Sequence, residues 1–201
     1  MSKIVVLNSG GFDSIVLMNY LHTIKGLKEI HSLHFLYGAK NEKQQLECVN
    51  KVCEKLGAVN KVITLPRIDW TKNDFYDDSY GYETQYLEYR NLIFIAYAMS
   101  YAESIGAKDI YLAILNSQGY ADTKLNFLEG INSFSYPNSD ILVVAPFIND
   151  DKEVLMHIAS YLGITEDDYF SCDVPNGDSP CGVCDDCEYL KELSDKIIRK
   201  G

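Results

Sequence analysis

Four cysteines, Cys172, Cys181, Cys184 and Cys187, stand within sixteen residues near the C-terminus, the last three at two-residue intervals. Thiolates so spaced turn around one tetrahedral ion, and a loop carrying Gly177 and Pro180 lets Cys172 return as the fourth ligand. Four thiolates close the coordination sphere of a zinc ion and leave no position for water or substrate, so the expected role is structural. A second chemical segment lies near the N-terminus: Asn8-Ser9-Gly10-Gly11-Phe12-Asp13-Ser14, between an apolar run and a helical pattern. Two glycines allow close backbone approach, and N–H groups at a helix start favour an anion, which makes this a candidate phosphate loop. It has neither the Gly-x-x-x-x-Gly-Lys-Ser/Thr pattern of enzymes that transfer a γ-phosphate nor the Gly-x-Gly-x-x-Gly of dinucleotide sites. For a bare glycine pair, the plainer alternative is a tight strand-to-helix turn capped by Asp13 or Ser14.

Both segments need a scaffold, and the apolar pattern supplies one. Strands are expected at 4–7, 30–36, 61–65, 109–115 and 141–144, and helices at 14–24, 42–56, 91–105, 123–134 and 152–162. This βαβ rhythm predicts a doubly wound α/β domain with a parallel sheet. The polar stretches 66–86 and 116–121 show no clear period and are expected as loops at the carboxyl edge of the sheet, where such folds bind ligands. A short closing helix is expected at 188–198, which divides the chain into an α/β domain at 1–165 and a small zinc-binding segment at 166–201.

Composition narrows the function. The 47% hydrophobic and 23% charged residues lie in the globular range, and no apolar run approaches the ~20 residues that cross a bilayer. A soluble, cytoplasmic protein is expected. In a reducing compartment the clustered cysteines are better read as metal ligands than as disulfides, and Cys48 and Cys53 as packing residues. A net charge of −11 without a Lys/Arg cluster argues against a protein that holds DNA or RNA and favours a small-molecule substrate. His22, His31, His34 and His157 share no ligand spacing and are read as surface or packing residues.

Ser9-Gly10-Gly11-x-Asp13-Ser14 directly after an N-terminal strand resembles the loop of the N-type ATP pyrophosphatases, which implies cleavage of ATP between its α and β phosphates. Further segments resemble the 7-cyano-7-deazaguanine synthase family: Tyr37-Gly38 closing the second strand, Lys40-Asn41 opening a polar helix, and Arg90-Asn91 leading an apolar one. Asn116-Ser117-Gln118-Gly119-Tyr120-Ala121-Asp122, Pro146, Asp151-Lys152-Glu153 and the four cysteines follow in the family's order and spacing. The resemblance implies an adenine nucleotide alpha hydrolase-like fold, ATP as cosubstrate with Mg2+, a structural Zn2+, and a homodimer. It implies 7-carboxy-7-deazaguanine and ammonia as the other substrates, converted to the nitrile through an adenylated intermediate. Carried onto this chain, residues 8–14 (Asn8, Ser9, Gly10, Gly11, Phe12, Asp13, Ser14) bind ATP. Arg90 and Lys152 supply cations, Asp13 orients the loop or a metal-bound water, and Tyr37, Asn91, Gly119, Tyr120 and Asp122 face the deazapurine.

Beside a segment from Pro66 to Glu88 that is shorter than the family's, the chain departs from the family in two motifs. Ala39-Lys40-Asn41 replaces the usual Gln-Arg-His or Gln-Lys-His, and Gln85-Tyr86-Leu87-Glu88-Tyr89 replaces the usual Phe-x-Pro-Gly before Arg90. Both changes fall on loops expected to touch the substrate, so an amide-forming variant of the reaction stays open. A tRNA-modifying ATP pyrophosphatase and a non-enzymatic nucleotide sensor are the rival readings; the acidic charge weighs against the first.

Overall fold

The structure, a computed structural model, describes residues 2–66, 72–77, 82–87 and 89–200. Five strands form one parallel sheet in the order β3-β2-β1-β6-β7: β1 (Ile4–Leu7), β2 (Ile30–Leu36), β3 (Val59–Thr64), β6 (Asp109–Tyr111) and β7 (Leu142–Val144). A separate antiparallel ribbon joins β4 (Lys72–Asp77) to β5 (Tyr82–Tyr86). The helices are α1 (Phe12–Asn19), α2 (Glu42–Leu56), α3 (Arg90–Ile105), α4 (Leu125–Ser139), α5 (Lys152–Tyr161) and α6 (Asp185–Lys200).

The unbroken apolar run of β1 is explained by its place at the centre of the sheet. Ile4 and Val6 join a core with α1, α2 and α5, while Val5 and Leu7 join the opposite core with α3 and α4. A parallel strand covered on both faces has no polar side to show. The strand order reverses direction between β1 and β6, and the crevice beyond their carboxyl ends is where an open α/β sheet binds ligands. The loop after β1 opens into that crevice.

Several boundaries differ from the sequence expectation. Helix α1 begins at Phe12, two residues early, because the glycine pair completes the turn before it, and it runs on into a wider π turn at Tyr20–Ile24. Strand β6 ends at Tyr111, with Leu112 N still donating to Val144 O at 3.0 Å, so the chain leaves the ladder before Leu115. Residues Ala121–Thr123 form a 3-10 turn and delay α4 to Leu125; α4 then runs through Pro137 to Ser139. Strand β3 starts at Val59, and α6 starts at Asp185, where Asp185, Asp186 and Glu188 suit the positive end of the helix dipole. The stretch expected as an aperiodic loop contains β4 and β5; its residues 67–71 and 78–81 lie outside those described.

The C-terminal segment is built onto the main core. Phe170, Cys172, Cys184 and Leu190 share the cluster that holds Ile15, Val49 and Leu155. No helix among the described residues is long and apolar enough to cross a membrane.

Candidate active site and metal centre

The loop after β1 is held by its own side chains. Asn8, 2% exposed, accepts the Gly10 N–H on Oδ1 at 3.0 Å and donates Nδ2 to Ser32 Oγ at 3.2 Å. Its carbonyl meets His34 Nδ1 at 2.9 Å, and since a carbonyl can only accept, that ring nitrogen carries the proton. Ser9 Oγ accepts the Gly11 N–H at 3.2 Å and shares a proton with Ser14 Oγ at 3.0 Å. Gly10 adopts φ +83°, and a Cβ there would lie 2.3 Å from the Gln45 backbone oxygen, so α2 itself demands glycine. At Gly11 a Cβ would fall 3.3 Å from Ser9 Oγ and 3.5 Å from Ser171 Oγ, filling the cradle between two hydroxyls. Asn8 thus shapes the loop from below, and α1 starts directly after the glycine pair at Phe12.

A charged cluster closes the mouth of this loop. Asp151, the N-cap of α5, accepts the Val154 N–H at 2.9 Å and so fixes Lys152 in the first turn. Lys152 Nζ, 12% exposed, stands 3.7 Å from Asp13 Oδ2 and 3.3 Å from Asp186 Oδ1, and lies 5.9 Å from the centre of the Tyr189 ring. Burial alone would discharge this ammonium; attraction to Asp13 and Asp186 outweighs it and holds the charge. Asp13 shows the converse, burial raising its pKa despite Lys152, and its Oδ1 is buried with no hydrogen-bond partner. Asp173 sits exposed at the rim, where the cleft walls thin the water around it and the negative Asp186 adds repulsion. Together these push its carboxyl up to about 6 against the pull of Arg90 and Lys152. Lys152 and Arg90, far apart in sequence, therefore both act on Asp173.

Residues expected to face the deazapurine have mixed positions. Arg90 Nη1 donates to Tyr37 Oη at 2.8 Å and lies 5.8 Å from the centre of that ring. Glu42 Oε1 accepts the N–H groups of Tyr37 and Gly38 and so fixes the turn that presents Tyr37. Asp122, 3% exposed, accepts the Asn91 N–H at 2.9 Å, while its carbonyl takes the Asn91 side-chain amide at 3.2 Å. These two residues pin the start of α3 to the 3-10 turn. Tyr120 is half exposed with its phenol pKa raised, chiefly by burial, and Gly119 has open space around it.

The four cysteine sulfurs lie within 4.8 Å of one another. A tetrahedron of sulfurs about 2.3 Å from a zinc ion has edges of about 3.8 Å, and Cys184 Sγ stands 4.0 Å from Cys172 Sγ, so the set fits a single ion. Backbone N–H groups already point at the sulfurs: Cys181 N to Cys172 Sγ at 3.2 Å, and Cys184 N to Cys181 Sγ at 3.3 Å. Burial pushes the Cys172 thiol up to about 11 and raises Cys187 as well. At Cys181 burial is overcome by the N–H groups of Val183 and Cys184, and the thiol falls to about 7. A bound cation would convert all four to thiolates. Helix α2 fastens the segment through three side-chain amides: Asn41 to Cys172 O at 2.9 Å, Gln44 to Gly177 O at 2.9 Å and Gln45 to Phe170 O at 3.3 Å.

Sequence reasoning missed these amides, and also Asp173, Asp186 and Ser171, whose Oγ accepts the Phe12 N–H at 2.9 Å across 159 residues. Only the acidic pair Asp185-Asp186, set between two metal-ligand cysteines, could have drawn notice. Asn41 stands where the family usually has histidine and is 5% exposed, turned inward to the metal segment.

The sequence profile described as queuosine biosynthesis protein QueC matches residues 3–194. The chain belongs to the QueC family. Relatives in the QueC family include the 7-cyano-7-deazaguanine synthases of Clostridium kluyveri and Nitratiruptor sp., each 31% identical. The first alignment covers 100% of this chain and 99% of the relative, the second 92% and 90%. These relatives are named as synthases, and this chain is an enzyme of the same family. Two solved structures share the fold at low identity. The U34-tRNA thiolase NcsA of Methanococcus maripaludis aligns with TM-score 0.59 and 13% identity over 99% of this chain and 67% of that one. The NMN synthetase of Francisella tularensis aligns with TM-score 0.53 and 18% identity over 98% and 76%.

Proposed function

We propose that the enzyme uses ATP and ammonia to convert 7-carboxy-7-deazaguanine into 7-cyano-7-deazaguanine. The observation that carries this reading is the buried Lys152 ammonium held between Asp13 and Asp186 at the mouth of the Gly10-Gly11 loop, at the switch point of the sheet. A carboxylate is a poor electrophile, and attack of its oxygen on the α-phosphorus of ATP expels pyrophosphate and leaves an acyl adenylate. Ammonia then displaces AMP to give the amide. The amide oxygen attacks a second ATP in the same way, and loss of AMP and protons leaves the nitrile. In each adenylation negative charge grows on the α-phosphate and on the departing pyrophosphate. Preorganised donors and cations lower that barrier most in a site walled from water.

The helix start at Asp13 and Ser14 would face the phosphates, Lys152 would neutralise the growing charge, and Arg90, fixed by Tyr37, would meet the adenylated oxygen. Magnesium supplies charge neutralisation between phosphates when bound. The unpartnered Asp13 Oδ1 fits it, with the Asp186 and Asp173 carboxylates on the same side. The four cysteines hold zinc as a structural ion. Tyr120, Gly119 and the Tyr37–Arg90 pair would face the base, and Asp122 with Asn91 set the floor beneath it. The active form is taken to be a cytoplasmic homodimer, on family resemblance.

The test incubates the purified protein with ATP, Mg2+, ammonium and 7-carboxy-7-deazaguanine and follows products by mass spectrometry. The expected result is substrate-dependent AMP together with the nitrile. AMP with amide alone would restrict the reaction to its first half, and no substrate-dependent AMP would overturn the assignment.

A further inference from the structure

The metal-binding segment reaches the phosphate loop itself. The Phe170 N–H donates to Gly10 O at 3.0 Å, and Gln45 holds the Phe170 carbonyl from the other side at 3.3 Å. Two residues on, Asn41 holds the Cys172 carbonyl at 2.9 Å. Ser171 is therefore carried on a backbone fixed on both flanks. Its Oγ accepts the Phe12 N–H at 2.9 Å and lies 3.5 Å from the point where a Gly11 Cβ would stand, opposite Ser9 Oγ at 3.3 Å. A hydroxyl that accepts one hydrogen bond still has its own proton to donate. Among the described residues that proton has no acceptor.

We propose that Ser171, delivered by the metal-binding segment, is a phosphate ligand of the nucleotide site: its hydroxyl takes the Phe12 N–H and passes a hydrogen bond to a phosphate oxygen lying over Gly11. The inference rests on the reading of this loop as an ATP site. Accepting from Phe12 polarises the hydroxyl and strengthens the bond it gives, as chained hydrogen bonds do. The first N–H of α1, which a phosphate would otherwise compete for, thus contributes to anion binding through the serine. It also gives the cysteine segment a role in binding substrate, since Cys172, the residue next to Ser171, is one of the metal ligands. The proposal gives Gly11 its reason: a side chain there would fill the space between the Ser9 and Ser171 hydroxyls that the phosphate needs, whereas Gly10 is required by the backbone of α2.

The test is calorimetric titration of the metal-loaded full chain with α,β-methylene-ATP and Mg2+, and separately with adenosine. A hydrogen bond to a charged oxygen predicts that Ser171→Ala weakens the analogue about tenfold or more, leaves adenosine unchanged and keeps the metal. Ser171→Thr and Ser171→Val have the same shape and differ in the hydroxyl, so the threonine variant should bind the analogue about tenfold more tightly than the valine variant. That ratio isolates the hydrogen bond even where the substitutions shift the loop. Equal affinity of the threonine and valine variants, with wild type binding normally, overturns the role of Ser171 and leaves the ATP site standing. A wild-type chain that binds no analogue overturns the ATP reading, and this inference with it.

Discussion

Replacing Gly10 with alanine tests whether the phosphate loop is moulded against α2 as described. Two effects add. At φ +83° an L-residue pays left-handed strain of about 1–2 kcal/mol. The new Cβ would also lie 2.3 Å from the Gln45 oxygen, 2.8 Å from its carbon and 3.0 Å from its Cα. All three atoms are helix backbone, so no side chain can swing aside, and forcing atoms into packed structure adds about 1–3 kcal/mol. The sum, about 2–5 kcal/mol, corresponds to a fall in Tm of roughly 10 °C for a chain of this size. Gly57 provides the control: its φ is +64°, but nothing lies within 4 Å of its Cβ position. Gly57→Ala should therefore show strain alone, about 1 kcal/mol or roughly 3 °C. Thermal unfolding of the two variants side by side measures the difference. Since a displaced Gln45 also moves the amides that hold the metal segment, Gly10→Ala should lose its metal to a chelator faster as well. Equal Tm values for the two variants would refute the close approach of α2 to the loop.

Three further outcomes follow from the site. Lys152→Met should lower kcat by about 10²–10³ while leaving the metal bound, as loss of a preorganised transition-state partner does, measured by AMP formation. Asp13→Asn should abolish turnover yet raise Tm near neutral pH. Burial raises the folded pKa of Asp13 above the usual carboxylate value, so the folded state binds more protons and stability falls as pH rises through that window. The gain in the asparagine variant should therefore vanish in acid, and a Tm difference independent of pH would contradict it. Tyr89→Gly should raise Tm by a few degrees, since Tyr89 caps α3 at φ +54°, a left-handed position costing a non-glycine residue about 1–2 kcal/mol; unchanged or lower Tm counts against that strain.

Tyr89 also shows what kind of information the sequence held. The family pattern has glycine before Arg-Asn, and here the tyrosine at that place takes a positive φ that glycine would adopt without strain. Local signals were legible: the apolar run of β1, the glycine pair and the cysteine spacing. Contacts between distant segments were not. Nothing near Ser171 announces Phe12, and nothing near Asn41 announces Cys172, because a hydrogen bond spanning more than a hundred residues leaves no period in the sequence. Asp122 was legible as a polar loop residue but not as the buried anchor of α3, since burial of a carboxylate depends on the partner that arrives from elsewhere. The β4–β5 ribbon was hidden for a related reason: it pairs apart from the main sheet, and its two segments carry no clear period in the sequence.

The central claim is that the carboxylate is activated by transfer of its oxygens to the α-phosphorus of ATP. With both carboxylate oxygens of the substrate labelled with oxygen-18, the account predicts that one label appears in each of two AMP molecules formed per nitrile, read as a mass shift of AMP. Label released to water, or found in inorganic phosphate, would contradict it.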